Sequence, residues 1–504
     1  MEIISYQEEL SPALPTVVGN VDYQEFRATL LRIDEILKRS GAERQFIDER
    51  IAAYRQAAVE NGREAEAVSP GELAEAARQA NQALRCNIAR ELLGESARGF
   101  SARLADSPVL QSFCGIARLD VIHVPSKSTI DRYGKLVDEQ AVREVVDQVS
   151  RAAAEPARRG SHPLDLAKPL DLEAYFMDTT CVQANIHFPT DWVLLRDAAR
   201  TLIKAIRVIR KHGLRHRMPK PEELIREMNR LSIQMTQSAR KKRDSKRERK
   251  RVLRQMKEHM KVIRRHANRY RDLLAERWAD TDLTWGQACV VLDRLDRVLE
   301  ILPKAIRQAH ERIIAGRQVA TGEKLLSLYE RDLHVIVRGK ASAAVEFGNT
   351  LLLGETREGV IVDWKLFQEQ VSGDRVLVKD SVRRFSELFG RNPGGLGADR
   401  GFDDKDNREW LEEEKIYNAI CPKSPRRMAR RMTDDRFVEL QRRRAQTEAR
   451  VAIFKNGFLG RPMRSKGFLN RERDTGWAVL AHNLWVIARL PRAEGRRAEW
   501  KRAA

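Results

Sequence analysis

The chain lacks paired cysteines, long apolar runs and a matching stock of acidic residues. Its five cysteines (Cys86, Cys114, Cys181, Cys289, Cys421) are scattered, with no CxxC and no histidine at zinc-finger spacing. That excludes a disulfide framework and a structural zinc module, and reads as reduced thiols of a cytosolic protein. No stretch is apolar for long enough to cross a bilayer, and there is no signal peptide or lipidation motif. A cytoplasmic protein with no membrane partner is therefore expected.

Basic residues outnumber acidic ones, 93 to 72, for a net charge of +21. A polyanion, most often nucleic acid, is the simplest partner for such an excess, because each Lys or Arg on a phosphate releases condensed counterions. No small-molecule substrate is implied. With 504 residues, 42% of them hydrophobic, the chain is long enough for two to four domains and a large core.

Residues 1–68 read as a helical lead-in, with Phe26, Leu30, Ile33 and Leu37 at helical spacing and Gly41 as a stop. Residues 69–150 read as a small helical domain. Within it, Ser126 to Thr129 can cap a helix whose first turn presents Ser, Lys127, Thr and Arg, which suits a helix-turn-helix contact with DNA or merely a polar bundle cap. An Arg-, Gly- and Pro-rich linker covers 151–169. In LDLEAYFMD, Leu170, Leu172, Ala174 and Phe176 then alternate as in a strand that delivers Asp178 at its tip.

From about 191 to 330 the pattern is almost wholly helical. The run Arg240–Arg251 holds nine basic residues among twelve. Lys241, Lys242, Arg243, Lys246 and Arg247 are its candidate phosphate contacts, against the plainer reading of a solvated helix face. Strand signals return at Leu333–Val337, Ala344–Leu353 and Gly359–Trp364. An amphipathic helix to Gly390 follows. A small-residue strand then delivers Asp399, a helix follows, and Ile416–Cys421 is a short strand. Asp191, Asp363, Asp403 and Asp404 look like turn or cap residues, and His187 and His334 like structural histidines. A last amphipathic helix carries Trp477, Leu480, Leu484 and Ile487, before a basic tail at 491–504.

The stretch from Asp434 to Lys455 has helix composition, with no Gly or Pro inside. Gln441, Arg444, Glu448 and Lys455 fall on one face at steps of three, four and seven. An i,i+4 ion pair on a solvated face would explain part of this.

With the helical block set aside, the order of elements from 170 to 490 is that of an RNase H-like mixed sheet (α+β or α/β). It carries a large helical insertion after the first strand and follows an all-α N-terminal domain. In that fold Asp178, Asp399 and Glu448 would converge, and converging acids repel unless cations hold them. Two divalent cations roughly 3.5–4 Å apart would do so, each stabilising one oxygen of an in-line phosphoryl displacement.

These residues resemble the DDE triad of bacterial insertion-sequence transposases. The terminal helix is similar to the Tyr-x2-Arg-x3-Glu-x6-Lys signature of one large branch. Arg444, Glu448 and Lys455 match its spacing and Gln441 stands in the Tyr position. Asp-Thr-Thr at 178–180 and Ala-Asp-Arg-Gly-Phe at 398–402 match the contexts of the two Asp residues. Residues 72–150 resemble the helical domain that precedes such catalytic domains. The resemblance implies Asp178, Asp399 and Glu448 as catalytic residues and ligands of two Mg²⁺, with Mn²⁺ as a substitute. Arg444 and Lys455 would hold DNA phosphates, with Arg461, Arg464, Lys466, Arg471 and Arg473 as backbone contacts beyond them. It further implies double-stranded DNA partners (terminal inverted repeats and target) and a homo-oligomer, a dimer on DNA. The activity implied is DNA strand cleavage and strand transfer. An RNase H-like nuclease or resolvase without strand transfer, or a non-catalytic architectural DNA-binding protein, are the alternatives.

Overall fold

The computed structural model describes residues 12–64, 68–157, 161–240, 245–340 and 343–493. They form two compact units. One holds the described residues up to Val182, Thr350–Phe367 and those from Val371 on; the other holds Gln183–Asn349 and Gln368–Gln370.

The first unit opens with seven helices: α1 (Val21–Ser40), α2 (Ala42–Glu60), α3 (Pro70–Leu93), α4 (Ala97–Asp106), α5 (Pro108–Phe113), α6 (Lys127–Tyr133) and α7 (Glu139–Ala154). Their boundaries follow local chemistry. Ser69 and Glu72 form a reciprocal capping box at the start of α3, with Pro70 in the first turn. Gly41 and Gly94, both at positive φ, close α1 and α3. Helices α4 and α5 are separate because Ser107 caps a new helix that Pro108 starts.

Strand β1 (Tyr175–Gln183) follows, and the chain then enters the second unit. There α8 (Asp191–Lys211), α9 (Pro221–Arg240), α10 (Ser245–Arg277) and α11 (Trp285–Ala309) pack around one apolar core that includes Leu202, Ile206, Met228, Met256, Ile263 and Leu302. Asp191 opens α8 and is held by Gln308 and Arg312, both at 2.9 Å. Strand β2 (His334–Lys340) pairs antiparallel with the first half of β3 (Ala343–Thr356).

The chain returns to the first unit along β3. Then come β4 (Ile361–Leu366), α12 (Val378–Phe389), β5 (Gly395–Ala398), α13 (Lys405–Glu413), β6 (Tyr417–Ile420), α14 (Pro425–Arg431), α15 (Asp435–Ile453) and α16 (Phe468–Ala488). The sheet is mixed. β3 and β4 are antiparallel, with Leu353 opposite Trp364. β3 lies beside β1, and β1, β5 and β6 are neighbours in that order and parallel. The fold is thus α+β, mostly helical, with a six-stranded mixed sheet.

Three elements differ from their sequence readings. β1 does not end at Asp178: Thr179, Thr180 and Val182 are β-branched and carry the strand five residues further. Asp363 is not a turn residue but lies inside β4, 2% exposed, where Arg384 grips both its oxygens at 2.7 and 2.8 Å. Helix α16 is not one-sided. Every residue from Trp477 to Leu484 is buried, because α1, α3 and α7 pack around it, and a helix covered on all sides needs no polar face.

Candidate active site

Parallel pairing of β1 with β5 sets Tyr175 opposite Leu396 and Phe176 opposite Gly397. Carried two residues further, the same register brings Asp178 level with Asp399. Both face the same side of the sheet. Side chains two apart on a strand share a face, and Phe176 packs with Phe437 and Leu440 of α15. A Cβ on Gly397 would stand 2.8 Å from the Phe176 ring. Asp399 keeps an extended backbone at φ −78°, ψ −177° and continues that direction. Asp178 on β1 and Asp399, one residue past the end of β5, would then lie side by side on the face that α15 covers.

Each aspartate is steadied by the backbone just beyond it. The Thr179 N–H donates to Asp178 Oδ1 at 2.8 Å, and the Gly401 N–H donates to Asp399 Oδ1 at 2.8 Å. A further carboxylate lies nearby, beside the residues that follow both aspartates. Thr179 Oγ1 donates to Asp374 Oδ1 at 2.9 Å, while a Cβ on Gly401 would come within 2.7 Å of Asp374 Oδ2 and 3.0 Å of Asp399 Oδ1. Asp374 thus touches the neighbours of both aspartates. Nothing in the loop sequence VSGDRV marks it out. The donors offered here are carboxylate oxygens, which suit hard divalent cations such as Mg²⁺ or Mn²⁺.

Helix α15 is capped by Asp434, which accepts from the Phe437 N–H. The Asp434 carboxylate is held below its usual range, first by the Tyr417 hydroxyl that donates to it. Burial, and then that same carboxylate, push the Tyr417 hydroxyl up to about 12. The helix is clamped to the sheet by Arg443, a residue the sequence reading passed over. Its guanidinium donates to Glu355 Oε1 and the Thr356 carbonyl at 3.0 Å each and to the Arg357 carbonyl at 2.7 Å, and it stacks 4.7 Å over Phe176. Thr447 donates to the same Glu355 oxygen at 2.8 Å. Arg443 and Thr447 adjoin Arg444 and Glu448 in sequence, so the clamp fixes the part of the helix that bears the signature. A Glu inside the apolar run LLLGET was the available sequence signal.

Gln441 Nε2 donates to the Ala419 carbonyl of β6 at 2.5 Å, and Arg444 Nε donates to Gln441 Oε1 at 3.1 Å. Gln441 therefore orients Arg444. Arg444 lies 3.8 Å from the Glu448 carboxylate, with side-chain exposures of 20% and 66%. Among the described residues no group of three or more His, Cys, Asp or Glu side chains is close enough to hold a metal ion. Glu448 consequently does not complete a trio with Asp178 and Asp399 here. Three adjacent carboxylates repel one another, and Glu448 takes Arg444 as its counterion instead.

Lys455 does not simply continue the α-helical face. It lies in a π-helical turn, Phe454–Leu459, that follows α15. Arg461, Arg464 and Lys466 are exposed, but Arg471 opens α16 fully buried and so is no surface contact. Lys127 is exposed at the start of α6, 3.3 Å from Asp131. Lys246 and Arg247 are exposed on α10; Lys241, Lys242 and Arg243 lie outside the described residues. Asp403 is no candidate ligand. Burial would raise its carboxyl, but the Lys423 N–H and the Arg408 and Arg427 guanidinium groups hold it below the usual range. No helix among the described residues is long and apolar enough to cross a membrane.

Residues 349–484 match the family described as the transposase DDE domain. The match takes in Asp399, Arg444, Glu448 and Lys455 and leaves Asp178 upstream of it. No curated protein and no solved structure matches the chain.

Proposed function

We propose that this DDE transposase acts on the ends of its own insertion sequence, cleaving DNA strands at the terminal inverted repeats and joining the freed ends to target DNA. The observation that carries the reading is the parallel pairing of Phe176 on β1 with Gly397 on β5, on the face covered by α15; the same register two residues on would set Asp178 beside Asp399. The strand order β4-β3-β1-β5-β6 supports an RNase H-like sheet with the helical block inserted between β1 and β3.

Asp178, Asp399 and Glu448 would hold divalent cations, which supply charge neutralisation at the phosphoryl group and a lowered pKa for the attacking water or 3′-hydroxyl. The chain's residues do the positioning. Asp178 and Asp399 would supply the two sheet-side carboxylates, each tied by a backbone N–H. Glu448 would reach them by leaving Arg444, and a pair 3.8 Å apart with the carboxylate exposed holds it back by only about 1 kcal/mol. Released, Arg444 presents its guanidinium to a DNA phosphate, still oriented by Gln441. Lys455, Arg461 and Arg464 extend the phosphate-binding edge, and Lys127 on α6 contributes to recognition of the repeat. The enzyme works as a dimer that holds both ends.

The test is donor excision with DNA carrying the repeats that flank the gene, followed by joining of pre-cut ends to a plasmid. Both reactions are expected in Mg²⁺ or Mn²⁺. Cleavage without joining would make the protein a nuclease, and neither reaction would leave a DNA-binding protein only.

A further inference from the structure

Helix α10 runs for 33 residues and is two-faced along its whole length. Val252, Met256, Met260, Ile263, Ala267 and Leu274 are buried in the core of the second unit. At 100° per residue, the opposite face carries Arg247, Arg251, Arg254, Glu258, Lys261, Arg265 and Arg269, all exposed, before the exposed acids Asp272 and Glu276 end the basic row. Six cations and one carboxylate give 6 − 1 = +5 on one stripe. Among the described residues only Lys261 has an acidic partner, Glu258 at 2.8 Å. Like charges at i,i+3 and i,i+4 destabilise a helix, so an uncompensated row of this length fits an external polyanion. From Arg247 to Arg269 the stripe spans about 33 Å, the length of about ten base pairs at 3.4 Å each.

Two observations favour nucleic acid over a membrane surface. Five of the six cations are arginine, whose planar fork pairs with phosphate oxygens. None of the exposed large hydrophobic residues lies on α10, whereas a helix lying in a lipid interface sets Trp, Phe or Leu beside its basic face.

We infer that the outer face of α10 is a sequence-independent docking surface for duplex DNA, gripping the phosphate backbone over about one helical turn. It extends well beyond the basic run at 240–251 and lies outside the matched DDE segment. The inference deepens the reading of the protein as a DNA enzyme, and its test reads binding rather than cleavage, so the two fail separately.

The experiment measures anisotropy of a labelled 30-bp duplex of arbitrary sequence against KCl for the full-length protein. The test variant is R251A/R254A/R265A/R269A. The control is R63A/R230A/R277A/R317A, which removes the same net charge from arginines already paired with carboxylates. The stripe variant is expected to lower the slope of log K on log[KCl] by about 3.6, four contacts at about 0.9 each. Between 50 and 200 mM KCl the wild type then loses roughly 10²-fold more affinity than the variant. The control is expected to keep the wild-type slope. An unchanged slope in the stripe variant, or an equal drop in the control, overturns the assignment. So does loss of binding to phosphatidylserine vesicles without loss of DNA binding.

Discussion

Phe176 on β1 stands opposite Gly397 on β5 in parallel register, and the same register carried two residues further would set Asp178 beside Asp399. Adjacent carboxylates repel, and removing one charge relieves that. In EDTA, Asp178→Asn and Asp399→Asn are expected to melt at or above the wild-type temperature. Addition of Mn²⁺ is expected to raise the Tm of the wild type and of neither variant, since a ligand stabilises only the state that binds it. Thermal shift assays with and without Mn²⁺ check this. A variant that melts well below wild type in EDTA, or that still responds to Mn²⁺, would show that the two side chains do not share a cation site.

The Arg443–Glu355 pair, 8% and 5% exposed, anchors α15. Removing one partner strands a buried charge, at about 3–5 kcal/mol. Arg443→Met is therefore expected to be strongly destabilised, and Arg443→Met with Glu355→Leu to regain most of the loss. Denaturant unfolding of the three proteins reads this, and a double variant no better than the single one would refute the clamp.

A Cβ on Gly401 would stand 2.7 Å from Asp374 Oδ2 and 3.0 Å from Asp399 Oδ1, so those carboxylates must shift to admit it. Gly401→Ala is expected to shift the Asp399 carboxylate and slow cleavage by roughly 10²-fold, with the Tm little changed. Steady-state cleavage with unaltered kcat would mean that this contact does not position Asp399.

His482 is buried on α16 between Phe454, Phe458 and Trp485. Burial lowers its pKa from 6.5 to about 4. The unfolded chain takes up this proton near 6.5 and the folded chain only near 4. Its contribution to stability is thus complete above pH 6.5 and shrinks as the pH falls from there towards 4, by up to about 3 kcal/mol. His482→Phe is expected to lose less stability than wild type between pH 7 and 4.5, by denaturant titration at each pH. Equal losses would show that His482 is not the group responsible.

The site was legible in the sequence where its residues sit in regular elements. Helix α15, its Asp434 cap and the Gln441–Arg444–Glu448 face follow from composition and spacing, and the small-residue strand before Asp399 from its punctuation. Alternation marks a strand's face and not its end, which is why β1 outruns Asp178. The clamp of Arg443 on Glu355 joins residues 88 apart, and Asp374 meets Thr179 across 195. Local periodicity holds no record of such contacts. Burial of Arg471 escaped for a related reason, since a basic residue beside a loop looks solvated until the helices that cover it are in place.

The most direct measurement is the rate of strand cleavage at the element's own ends in Mg²⁺ by wild type and Glu448→Gln, each at saturating DNA. Glu448 stands 66% exposed beside Arg444, so the substitution leaves packing intact and removes one carboxylate. The variant is expected to bind duplex as well as wild type and to cleave at least about 10³-fold more slowly, as loss of a group acting at the reacting phosphate requires. Cleavage by Glu448→Gln at the wild-type rate would contradict the assignment of Asp178, Asp399 and Glu448 as one catalytic set.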